Sequence, residues 1–345
     1  MPTSRNAKRI EDIKSRKVKD DALESTMPVA KQAKRLAAPV ATIPEADETA
    51  PPAARKSRKK ATQLQPDDYC PMIYEASCRD SRLVMDVAIF RLSKNIKRAN
   101  TTITYHLPDG FVRVVSGPLG MASVYDYDLV LMAASHLTEA MNRFREGKGK
   151  KPGQIFRPTI KDVLTFCGKE DGGHQRAAVI GALDRLSTTQ VKIERVRNVK
   201  GTSKLITEGE NLIGPFKVIS HAKTKTIESL AFRIADWMYE EITNGHQPDV
   251  LAVNPNYFQL ESGVARFLYR LARKTAGKNS ACWSFGLLYE RSGSESPRNG
   301  FNRMLRTLIR KNQMPDYVLA EEQGRDDALL RMVHRSQAEQ WKADD

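Results

Sequence analysis

Apolar and polar positions divide the chain into one stretch without a clear period and two patterned blocks. Residues 1–66 show only a short apolar recurrence near Ile10 to Leu23, enough for a transient helix. The first block opens with strands expected at Ile103–Tyr105 and Phe111–Val115. A helix follows over about Ser123 to Arg145, where Val130, Ala133, Ala134, Leu137 and Met141 recur at three- and four-residue spacing. Thr159, with Asp162 three residues later, resembles a capping box and starts a short helix that stops near Gly168. After Gly172-Gly173 a second helix over about His174 to Ser187 turns Val179, Ile180, Leu183 and Leu186 inward. Alternation of period two then marks a strand at Gln190–Val196. Asn198 to Ser203 reads as its turn, with further strands near Phe216–Ser220 and Ser229–Ile234. A helix from Asp236 to Asn244 closes the block.

The second block runs through the same order. Helices are expected over about Glu261–Ala276, Trp283–Arg291 and Pro297–Asn312, and strands at Tyr317–Glu321 and Leu329–Arg335. Ser296 suits an N-cap, Pro297 suits the first helical position, and Pro315 keeps the last helix from continuing. Helix, short helix–turn–helix and β-hairpin is the order of a winged helix. The expected fold class is therefore α+β: two tandem winged-helix domains, 67–250 and 251–345, preceded by a disordered basic N-terminal arm, 1–66. The two blocks share an order of elements but no residue-level repeat.

Composition sharpens the reading of the arm. Residues 1–66 contain no Phe, Trp or Tyr, hold 7 of the 17 prolines, and carry 15 Lys and Arg against 8 Asp and Glu. Such a stretch buries too little apolar area to offset ordering entropy. Its run from Arg55 to Lys60 is either a solvated linker or a tract drawn to phosphates. The chain's net charge of +15 points to a polyanionic partner. The arm accounts for +7, which leaves +8 for the rest. Residues 257–312, with 11 Lys and Arg against 3 Asp and Glu, are themselves +8, so the excess sits in one stretch.

That stretch holds the candidate chemistry. In the Pro297–Asn312 helix, Phe301, Met304, Leu305, Leu308 and Ile309 define an apolar face. Arg298, Asn302, Arg303, Arg306, Arg310 and Lys311 occupy the remainder with no acid between them. Arginine can fork onto guanine and asparagine onto adenine, so this helix is expected to enter the major groove of DNA. The bland alternative is a solvated face whose last cations suit the helix dipole. In the Glu261–Ala276 helix, Arg266, Arg270, Arg273 and Lys274 stand off the core face and are expected to touch phosphates, solubility being the alternative. In the first block Gln175 and Arg176 begin the corresponding helix, and Lys192, Arg195 and Arg197 follow on the strand and turn. Asp184 and Glu194 dilute the charge there, so a structural or dimer-forming role is favoured over DNA contact.

Other function classes lack their residues. No G-x-x-x-x-G-K-[ST] phosphate loop and no G-x-S-x-G elbow occurs, and the six histidines form no His-x-His pair for a nickase. Asp126 and Asp128 could hint at a metal but fall at a helix start, where carboxylates complement the dipole. No enzyme activity, cofactor or metal is expected. No apolar run approaches the roughly 18 residues that span a bilayer, and the N-terminus has no apolar leader, so the expected location is cytoplasmic. Cys70, Cys78, Cys167 and Cys282 form no C-x-x-C pair. Cys70 and Cys78 are near neighbours, but a reducing compartment argues against a disulfide.

Five segments in order resemble the replication initiator protein A family of plasmids, the RepA-type initiators. They are Asp86–Lys94, Met121–Asp128, Ala182–Thr189, Ala265–Lys274, and Phe301–Leu305 leading to Met314-Pro315-Asp316-Tyr317. Together they span about 85 to 335. The match departs at Gln175-Arg176, where an aromatic is expected, and fades between about Val196 and Thr224. The resemblance implies tandem winged helices that bind repeated sites, or iterons, at a plasmid origin without catalysis. It further implies origin opening, recruitment of the host replicative helicase and other initiation proteins, dimers that repress their own promoter and monomers that bind iterons. The first block would then carry the dimer contact and the second most of the base readout. A winged-helix transcriptional regulator on a palindromic operator is the competing reading, and a nickase or primase the third.

Overall fold

In the computed structural model the described residues are 68–69, 76–95, 97–199, 202–224, 226–244 and 249–339. The expected arm 1–66, Cys70 and the side chain of Arg197 lie outside them. The described residues belong to one compact unit, Thr62–Asp345. It is a mixed α/β fold with seven α-helices among the described residues.

The first helix, α1 (Asp128–Arg145), starts five residues after the expected Ser123. Residues 123–126 instead close a turn: the Ser123 amide donates to the Asp126 carboxylate (2.7 Å) and the Asp126 amide donates to the Ser123 hydroxyl (3.1 Å). From Asp128 to Thr138 every residue of α1 is buried, so the helix runs through the core. The short helix α2 (Ile160–Phe166) has the full capping box between Thr159 and Asp162. Next come α3 (Gly173–Leu186), which buries Val179, Leu183 and Leu186, and α4 (Asp236–Thr243).

Two four-stranded sheets and one two-stranded ribbon flank these helices. Strands β3 (Thr102–Leu107), β4 (Gly110–Val115), β6 (Gln190–Val199) and β7 (Thr202–Asn211) form an antiparallel sheet in the order β3-β4-β6-β7. The expected turn Asn198–Ser203 is mostly strand, because β6 and β7 stay in register out to Val199↔Thr202. The second sheet has the order β1-β5-β9-β8, from β1 (Asp68–Tyr69), β5 (Ile155–Phe156), β9 (Ile227–Ile234) and β8 (Ile213–Ser220). In the ribbon, β2 (Arg79–Ser81) pairs antiparallel with β10 (Val250–Ala252). Glu241 of α4 closes this ribbon by accepting from the Ser81 hydroxyl and the Leu83 amide. Burial pushes its carboxyl up to about 7, although both donors pull the other way.

The later part begins with α5 (Gly263–Thr275), capped by the Ser262 hydroxyl. Trp283, expected in a helix, belongs to β11 (Ser280–Ser284), and α6 (Phe285–Ser292) starts only after Ser284 caps it. The N-cap of α7 (Arg298–Lys311) is Pro297 rather than Ser296, because Pro297 is still extended at φ −52°, ψ 145°. Strands β12 (Tyr317–Gln323) and β13 (Ala328–His334) follow, and the sheet order is β11-β13-β12.

One hydrophobic cluster runs through the whole unit, from Cys78, Phe90 and Leu131 to Phe267, Phe301 and Met332. Two glycines let the parts of the chain approach closely. A Cβ on Gly263 would sit 2.1 Å from the Leu92 carbonyl oxygen. Gly293 is left-handed at φ 53°, and a Cβ there would sit 2.4 Å from the Tyr105 hydroxyl.

Candidate DNA interface

The helix α7 is anchored by Phe301 and Leu305, both fully buried, with Phe301 edge-on to Tyr289 at 5.4 Å. The opposite side of the helix faces solvent. Arg303, Arg306, Arg310 and Lys311 are exposed there. Arg303 has no ion-pair partner among the described residues, and Arg310 donates only to the Thr307 hydroxyl at 3.3 Å. Arg306 is held by both carboxylate oxygens of Glu321 on β12 (2.8 and 3.1 Å), yet its side chain stays half exposed. Arg298 is gripped similarly by Asp327 at 2.9 Å, just before β13. Asn302 is half-buried, and its side-chain oxygen lies away from solvent with no hydrogen-bond partner.

The four α5 cations expected to touch phosphates point the other way. Arg270 is fully buried, pairs with Asp80, and lies between the rings of Phe90 and Tyr127 at 4.8 and 4.9 Å. Burial works against its charge, but the Asp80 carboxylate together with Tyr127 and Tyr257 holds the guanidinium above its ordinary range. Arg266 is buried against Asp128 (2.8 and 2.9 Å) and donates to the carbonyls of Leu260 and Phe258. Lys274 reaches Asp86 at 2.9 Å, and Arg273 donates to the Ala252 carbonyl. Arg266 and Arg270 are therefore structural. Their acids come from β2 and the start of α1, so α5 is surrounded by protein on both its apolar and its basic sides.

The first-block candidates are similarly committed. Arg195, expected on the strand after α3, is mostly buried against Asp86 (3.4 Å) and the Leu83 carbonyl. Asp86 thus serves Arg195 and Lys274 together. Arg176 forms a two-point pair with Asp171 (2.7 and 2.8 Å). Gln175 is half-buried and folds back over Gly172. Lys192 is half-buried with its ammonium 6.0 Å from the Phe111 ring. The α3 residues left exposed are Gly173, His174, Ala177 and Ala178 near its N-terminus. Asp126, expected at the helix start, instead accepts from the Ser123 amide in the turn before α1 and takes a two-point bond from Arg185, while Asp128 opens α1 and pairs with Arg266.

Sequence reasoning missed the acids that decide these arrangements. The pairing of Asp80, Asp86 and Asp128, the last noticed only as a helix-start carboxylate, carried no signal, because their partners lie far along the chain. Glu321, Glu322, Asp326 and Asp327 could have been noticed as four acids packed into one short hairpin.

The family described as replication initiator protein A matches residues 79–319. A replication protein of Wigglesworthia glossinidia brevipalpis is 25% identical over 245 residues, covering 70% of this chain and 84% of its own length. Among solved structures, domains 2–3 of RctB align at 12% identity with a TM-score of 0.48, covering 76% of this chain and 99% of that one. A second crystal structure of the same two domains gives a TM-score of 0.49 at 12% identity, over 74% and 98% of the respective chains.

Proposed function

The chain belongs to the replication initiator protein A family, and on that premise we propose that it starts plasmid replication by binding direct repeats at the origin. The observation that carries this reading is the outward face of α7. A helix of 14 residues without one acid is fixed by two buried side chains, and Arg303, Arg306, Arg310 and Lys311 stand in solvent. Such a helix can lie in the major groove and fork onto guanine edges.

In this reading the unit is two tandem winged helices, 67–250 and 251–345, with α7 the reading helix of the second. The order α5-β11-α6-α7-β12-β13, with β11 closing the hairpin sheet, supports that assignment. The first block serves structure and self-association, a reading supported by Arg195 pairing with Asp86 and Arg176 with Asp171. The protein acts by binding rather than catalysis. Occupied repeats open the origin, and the bound protein recruits the host replicative helicase and other initiation proteins in the cytoplasm. A dimer represses the protein's own promoter.

The test is a DNA-binding titration with duplexes flanking the gene, against random competitor at several salt concentrations. Tight binding to direct repeats that survives competitor is expected. Preference for a palindrome would favour a transcriptional regulator, and equal binding to random duplex would remove the initiator mechanism.

A further inference from the structure

In the hairpin beside α7 the charge has the wrong sign for DNA. From Tyr317 to His334 it carries Glu321, Glu322, Asp326 and Asp327 against Arg325 and Arg331. Arg331 is itself bound to Glu322. With Glu321, Glu322 and Asp327 each paired to an arginine, the hairpin offers phosphate only Arg325, and the adjacent Asp326 offsets it. Its acids instead grip Arg298 and Arg306 from one flank of α7.

The other flank of α7 meets a different surface. A cleft of about 200 Å³ is lined there by Met304 and Ser296, and on its far side by Leu92, Ser93 and Arg98. Met304 and Arg306 lie about 160° apart around the helix at 3.6 residues per turn. Hydrogen bonds hold the backbone at Ser93, Lys94 and Lys97. The Arg91 guanidinium donates to the carbonyls of Met121, Ser93 and Lys94. The Lys97 carbonyl accepts from the Met121 amide at 2.8 Å. Arg98 donates to the Gly293 carbonyl and pairs with Glu295 at 2.8 Å, which ties the segment to the turn leading into α7.

Two lysines project from this pinned backbone, and both are exposed. The Lys94 ammonium rests 4.8 Å above the Tyr125 ring. The nearby acids are partly engaged: Glu295 pairs with Arg98, and Asp126 pairs with Arg185. Glu261 is exposed, and its carbonyl accepts from the Tyr125 hydroxyl. We propose that Lys94 and Lys97 supply the phosphate contact beside α7 that its acidic hairpin cannot, so the DNA leans toward the first block. A fixed backbone lowers the ordering cost of each contact. The inference rests on the reading of α7 as the DNA helix.

The full chain tests it through the salt dependence of binding. Replacing Lys94→Gln and Lys97→Gln together should lower the slope of log affinity against log salt by about 1.8, and Lys97→Gln alone by about 0.9. Base preference should stay that of the parent protein. Arg325→Gln in the hairpin should leave the slope unchanged. The proposal is overturned if the double variant keeps the parent slope, or if Arg325→Gln lowers it by about one. Phosphate contacts do not depend on sequence, so slopes are also read on random duplex. A parent protein without preference for repeats then sinks the direct-repeat mechanism, while the slopes still decide this inference.

Discussion

Helices α5 and α7 look alike as sequence. Each has one apolar face and a dense set of arginines and lysines on the remainder, with no acid inside the helix. In the folded protein they have opposite fates. The α5 cations turn inward to Asp80, Asp86 and Asp128, whereas Arg303, Arg310 and Lys311 of α7 face water. The difference lies in what the fold brings opposite each helix, not in the helices. A cation count finds a charged surface only after the buried acids have been subtracted from it. In residues 257–312, four of the eleven cations are spent inside the molecule.

The comparison can be broken most severely at Asp80. Asp80→Ala leaves Arg270 buried without its partner and should cost about 3–5 kcal/mol of stability in denaturant unfolding. Arg303→Ala on α7 should leave the same unfolding curve unmoved. Next in size is the loss of readout. Arg303→Ala with Arg306→Ala should abolish sequence preference, each base contact contributing about ten- to hundredfold, while the protein stays folded. Unchanged preference in competition binding would move recognition off α7.

How much of this was legible follows from the physics of each element. Periodicity located α1, α3, α5 and α7 because each carries a regular apolar stripe. It missed β7, since Thr202–Asn211 is largely polar and exposed, and it took Trp283 into a helix because β11 is a short strand run directly into α6. The apolar anchors of α7 were readable, and so were its outward cations. The roles of Arg266 and Arg270 were not, because their carboxylates lie 138 and 190 residues away in the chain. Charged side chains read as solvent-facing unless the acid that buries them is known.

Glu241 sharpens the comparison from the acidic side. Its carboxyl is held by a hydroxyl and an amide rather than by a guanidinium, and its folded pKa of about 7 lies above the ordinary 4.5. The folded state therefore keeps a proton that the unfolded chain has released. This stabilisation is complete below about pH 4.5 and disappears as pH rises through about 7. Glu241→Gln should raise Tm relative to the parent protein more at pH 8 than at pH 5. An equal shift at both values would mean that Glu241 titrates normally. The smallest effect is expected at Arg176→Ala. Its exposed pair with Asp171 contributes little, and neither Tm nor affinity for repeats should move measurably. A clear loss of affinity there would return α3 to the DNA.

The pairing of Arg266 and Arg270 with acids more than a hundred residues upstream also constrains inheritance. A segment holding α5 to β13 cannot be exchanged between relatives as a cassette. It arrives with two guanidiniums that need carboxylates at the positions of Asp128 and Asp80, and with a glycine that must fit against Leu92. The halves of the molecule are then expected to change together, whereas the open face of α7 can vary without disturbing either pairing.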